Sequence, residues 1–289
     1  MRPLLMRRAI LTVLAVVVLA TYVLALRKAA AEEGNVPFSY DVYAAVLQKY
    51  VNDRGLVHYR GLKSDSTSLD AFTVTLETLD PKIYDQWTDK EKSAFWLNAY
   101  NALTLKAIVT HYPIQPTFLA SLRFPKNSIR QIPGVWDQLR FGVMGRQLTL
   151  DDIEHEILRK QFNEPRIHVA LVCAAMGCPP LRNEPYTGTK LEAQLGDQTH
   201  RFLHNPLKCR IDRQGKRVYL SAIFKWFGAD FIKTYAADGK FGGYSGAEGA
   251  VLNFLSPHLG EDERRYLVTG TYNIDYLDYD WSLNEQTEG

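Results

Sequence analysis
The residues able to do covalent chemistry concentrate between Glu154 and Cys178, with Asp280 near the end of the chain as a further carboxylate. A thiolate nucleophile needs a neighbouring imidazole, and the imidazole needs a carboxylate or amide to orient it. Cys178, with His168 or His155 and with Glu154 or Asp280, supplies those types for a Cys/His-dependent hydrolase or transferase acting on an amide or peptide-like substrate. Spacing restricts the choice. Arg166 to Cys173 alternates as a strand, with Ile167, Val169, Leu171 and Cys173 on one face and His168 on the other. Five residues at about 3.3 Å each then separate His168 from Cys173 by roughly 16 Å. Cys178, beyond the turn at Ala174–Gly177, is free to fold back towards a histidine.

The same cysteines have two other readings. Cys173 and Cys178 enclose four residues including Gly177, which permits the Cα separation of about 4.4–6.8 Å that a disulfide requires. Such a bond removes Cys178 as a simple nucleophile and leaves Cys209 as an odd thiol; pairing Cys209 with one of the others is the alternative. His155, Glu154, His168, Cys173 and Cys178 are also metal-ligand types, but no HExxH or paired CxxC spacing occurs and no metal is assigned. A lone histidine on a buried strand is usually a hydrogen-bonded core residue. Glu154 with Arg166 reads equally well as a structural ion pair.

These residues need a scaffold, and the pattern predicts a helix-rich α+β domain with antiparallel hairpins and a buried central strand at 166–173. Thr88–Glu91 forms a capping box opening the longest helix, which is apolar nearly all round to Tyr112. Asn98 and Asn101 share a face of it, so each needs a partner, either a neighbouring backbone or a substrate. Further helices are expected over 40–52, 69–79, 191–203 and from Ser221, and two more capping boxes at Thr149–Asp152 and Ser245–Glu248. Hairpins are expected at 139–148 and 208–221, and a strand through Tyr272, Ile274 and Tyr276. Tyr276, Tyr279, Asp280 and Trp281 set aromatic faces beside carboxylates, which suits a sugar or a peptide; as a last strand, Trp281 is instead expected to close the core.

Residues 9–26 form an uncharged, predominantly apolar run of 18, about 27 Å as a helix, flanked by basic residues. The expectation is a membrane anchor or signal segment within 1–31 and an exported globular domain over 32–289, on the periplasmic side. Ala29–Ala31 leaves a cleaved, secreted form open. The first 28 residues hold five basic groups and no acid, so the remainder has 29 Lys+Arg against 32 Asp+Glu, net −3. That balance, with scattered basic residues, excludes a nucleic-acid footprint. The expected partners are the membrane through residues 9–26 and a small-molecule or peptide ligand; no cofactor is assigned.

The motifs IEHEILR, PRIHVALVC, GCPPLR and YDWSLN, with FWLNAYNAL, together resemble the domain-of-unknown-function family 547 from about Phe95 to Asn284. The resemblance implies an exported bacterial domain related to modules fused to other domains in plants and animals, some of them redox-related. It implies no agreed reaction. A non-catalytic ligand-binding or structural domain with a Cys173–Cys178 disulfide is therefore the alternative to the enzyme, and a metal-binding domain the second alternative.

Overall fold
A computed structural model describes residues 38–286. The expected anchor or signal at 1–31 lies outside the described residues. Among the described residues no helix is long and apolar enough to cross a membrane.

One half of the molecule is built on the helix Asp89–His111. Thr88 Oγ1 accepts from the Glu91 N–H at 3.3 Å, and the Thr88 N–H donates to Glu91 Oε2 at 2.8 Å, so two otherwise orphaned donors are satisfied at its start. From Ser93 to Val109 every residue except Lys106 is buried. The helices Tyr59–Ser64 and Thr67–Thr78 pack on it and Asp41–Tyr50 packs on those two, with Tyr43 stacked on Phe72 at 4.6 Å between ring centres.

The other half packs four helices, Leu191–Leu203, Ala222–Phe227, Gly246–Leu255 and Glu261–Thr269, around a small sheet. Its hairpin pairs β3 (Cys209–Asp212) with β4 (Arg217–Ser221), and β5 (Asn273–Leu277) adds parallel to β4. The parallel pairing follows from the chain order, because the helices between Ser221 and Asn273 supply the crossover that parallel neighbours require. The hairpin β1 (Phe141–Val143) and β2 (Arg146–Leu148) turns at Met144-Gly145, both with positive φ of 50° and 69°, as a two-residue type I′ turn demands. Helices with small sheets make this an α+β fold.

Two local expectations fail. The run 166–173 is not a strand: Pro165–Val169 is a 3-10 turn, and 171–173 is irregular. Pro165 starts that turn and the Glu164 carboxylate caps it by accepting from the Arg166 N–H at 3.0 Å. Asn101 then takes the place of a sheet ladder, accepting from the Val172 N–H at 2.9 Å and donating to the Ala170 carbonyl at 3.1 Å. The third capping box is also absent: Ser245 makes no side-chain cap, and the Gly246 N–H donates instead to Asp238 Oδ1.

Candidate functional site
The corner after that turn is held from two sides. Cys173 and Cys178 are joined by a disulfide with their Cα atoms 6.1 Å apart, closing the loop Ala174–Gly177. Along its outer edge runs the end of the chain. Gly177 N–H donates to the Asp280 carbonyl, Met176 N–H to the Ser282 carbonyl, and Asn284 N–H to the Ala174 carbonyl. Leu283 completes an antiparallel bridge with Ala175. The buried Tyr59 hydroxyl fixes Asn284 by a 2.7 Å bond to its Oδ1. This pairing brings Tyr279 over the sulfurs, its hydroxyl 3.1 Å from each. The approach requires glycine at 177, where an added Cβ would sit 2.7 Å from the Tyr279 ring.

The disulfide forms part of the lining of a cleft of about 190 Å³. Trp136, Trp226, Trp281, Phe227 and Tyr279 supply aromatic wall; Asp151, Glu154, His155 and Arg130 supply charge. Trp281 sits 4.6 Å from Tyr279, 6.0 Å from Trp136 and 6.1 Å from Trp226, and the Arg130 guanidinium lies over its ring at 4.4 Å. Asp151, Glu154 and His155 share a face of a helical segment opened by Thr149, whose Oγ1 accepts from the Asp152 N–H while its own N–H donates to Asp152 Oδ2. From Asp152 to Leu158 that segment is a π-helix, and the Arg159 N–H reaches back to the Glu154 carbonyl. Such widened turns recur at functional sites.

Behind the cleft His168 is 3% exposed and stacked on Phe227 at 4.2 Å. Its Nε2 donates to Asp230 Oδ2 at 2.7 Å, and Arg159 meets the same carboxylate through Nε and Nη2 at 2.6 and 2.9 Å. Burial alone would raise the Asp230 pKa, but the bonds from His168 and Arg159 outweigh it and hold the carboxyl well below its usual range. Arg159 Nη1 also donates to His155 Nδ1 at 3.1 Å, so the guanidinium and the Asp230 carboxylate together link the two histidines. Burial pushes Asp151 up, against the pull of His155, and pushes Tyr279 up with help from Glu154. Tyr279 is therefore a neutral hydroxyl donor at any ordinary pH.

The structure gathers Cys173, Cys178, His155, His168 and Glu154 around one cleft, because the compact turn at 165–169 removes the 16 Å separation that a strand would impose. Asn98 and Asn101 are not among its lining residues. Asn98 instead exchanges two hydrogen bonds with the Tyr186 backbone, at 2.7 and 2.9 Å, and both amides serve as backbone clamps. Asp280 is exposed and lies against the corner outside the cleft, its Oδ1 accepting from the Ser282 N–H. Trp281, expected in the core, lines the cleft. The Glu154–Arg166 pair does not form; Arg166 binds Glu164 and, at 2.9 Å, Glu192. Among the described residues no group of three or more His, Cys, Asp or Glu side chains is arranged to hold a metal ion. The sequence reading missed Asp230, Arg130, Trp136 and Trp226. Asp230 comes 62 residues after its histidine, and no local pattern marks it.

Fold and cleft thus define a helix-rich α+β domain with an aromatic, partly charged pocket against a disulfide. Residues 84–203 match the family model described as Protein of unknown function, DUF547, and the chain resembles that family over this stretch. The match covers the long helix, the π-helical segment and the cysteine corner, and stops short of the terminal YDWSLN. No curated protein and no solved structure matches the chain.

Proposed function
We propose that this is a ligand-binding domain whose cleft takes a short peptide segment, working outside the cytoplasm and tethered through residues 9–26. The observation that carries the reading is the convergence of three tryptophans, Phe227 and Tyr279 with Asp151 and Glu154 around one small cavity. Apolar walls with a few convergent polar groups are the usual make-up of a binding pocket. The aromatic faces suit an apolar side chain, and the carboxylates on one wall suit an adjacent ammonium or amide donor. Titrating the full-length chain with a cysteine-free tripeptide that sets an aromatic residue beside a lysine, followed by tryptophan emission, tests this. Saturable change that is lost in Trp281→Ala supports it. No response to the peptide, with a response to an oligosaccharide, replaces the peptide by a sugar.

A Cys/His-dependent hydrolase or transferase is the second reading, favoured by the His168–Asp230 pair beside the cleft that Cys178 lines. It requires Cys178 released from Cys173. Amide hydrolysis by the reduced chain, lost in Cys178→Ala while the protein stays folded, would establish it; no turnover by the reduced chain would remove it.

A further inference from the structure
We infer that Cys173–Cys178 is a thiol–disulfide exchange site, and that its reaction partner is a thiol-bearing peptide reaching it through the cleft. The inference rests on the peptide reading above and adds a reaction to it. Four observations carry it. The bond lines the cleft, and the two cysteines are unequally buried: Cys178 is 4% exposed, whereas Cys173 is only partly buried. One donor is specific to Cys178 Sγ, the Cys173 backbone N–H at 2.9 Å, and the Tyr279 hydroxyl, 3.1 Å from both sulfurs, is placed to turn to whichever one leaves. The loop closed by the bond holds Ala174 in the left-handed region at φ 58°, a conformation unfavourable for a residue with a Cβ. Finally, Lys208, 6% exposed, donates its ammonium to the Met176 carbonyl of the same loop.

An asymmetric pair of this kind sets the direction of attack. An incoming thiolate bonds to Cys173 Sγ, the S–S bond breaks, and its electron pair leaves on Cys178 Sγ, where the N–H and the phenol stabilise the thiolate. Hydrogen bonds to a charged form favour it, and a better-stabilised leaving thiolate leaves faster. A second thiol of the peptide, or of another molecule, then attacks the peptide sulfur of the mixed disulfide and releases Cys173. Two substrate thiols become one disulfide, and their two electrons and two protons pass to Cys173 and Cys178.

The test treats the oxidised full-length chain, undenatured, with reduced glutathione, quenches with acid, alkylates and maps the cysteines. The expected result is opening in the folded state, with the glutathione adduct on Cys173 at least tenfold over Cys178. Tyr279→Phe is expected to slow opening by about three- to tenfold. It is also expected to raise the pH at which Cys178 of the reduced chain titrates, followed by thiolate absorbance, a readout that loss of packing alone would not move. A bond that opens only in denaturant, or an adduct on Cys178, overturns the inference. Binding of the cysteine-free tripeptide is measured separately. Exchange failing with that binding intact rejects the exchange site alone, whereas exchange with glutathione but no tripeptide binding rejects the peptide reading alone.

Discussion
The protein has two tryptophan clusters, and they do different work. Trp96 is 2% exposed, donates its indole N–H to Tyr84 Oη at 2.8 Å, and packs edge-on against Phe95, which in turn meets Trp87, at the head of the long helix. Trp136, Trp226 and Trp281 stand around the cleft; Trp226 is 47% exposed, and Arg130 is laid across Trp136 and Trp281. Trp96 at the heart of the first cluster is closed and its polar atom is satisfied, so its energy goes into the fold. The second leaves ring faces open beside charge and sulfur, an arrangement that adds little to stability and suits a ligand.

Substitutions should separate the two clusters. Trp96→Ala is expected to cost about 3–5 kcal/mol of stability in chemical denaturation, the usual range for a buried large aromatic. Lys208 comes next. Burial holds its pKa down to about 8, against the pull of Asp280. Below that pH both folded and unfolded chains carry the charge. Between about 8 and the ordinary 10.5 only the unfolded chain keeps the proton, so stability rises with pH across this window. The rise attributable to this group is up to about 3 kcal/mol and should vanish in Lys208→Met. Cys173→Ala and Cys178→Ala should each cost about 2 kcal/mol, a small value because the closed loop is short. Trp281→Ala should lower stability by less than about 1 kcal/mol while weakening tripeptide binding at least tenfold, measured by calorimetry.

Much of the scaffold was legible because its signals are local. The Thr88 and Thr149 capping boxes, the glycine turn at 144–145 and the helix Leu191–Leu203 all follow from residues a few positions apart. The failures are tertiary. At 166–173 the β-branched alternation looks like a strand, and only the Asn101 amide from a distant helix explains why the backbone needs no sheet partner. The site was half legible: the cysteines, His155, His168 and Glu154 stand out by type. Tyr279 and Trp281 were also marked as aromatic faces, but Asp230, 62 residues after its histidine, and Trp136 and Trp226 become visible only when distant chain segments are brought together. The Ser245 box shows the converse, a local motif overruled by the Asp238 carboxylate.

The measurement that tests the account most directly follows the five indole N–H resonances of the full-length chain by NMR as the cysteine-free tripeptide is added. Binding in the cleft predicts shifts at Trp136, Trp226 and Trp281, with Trp87 and Trp96 unmoved. Uniform shifts, or shifts confined to Trp87 and Trp96, would contradict the assignment of the open cluster as the binding site.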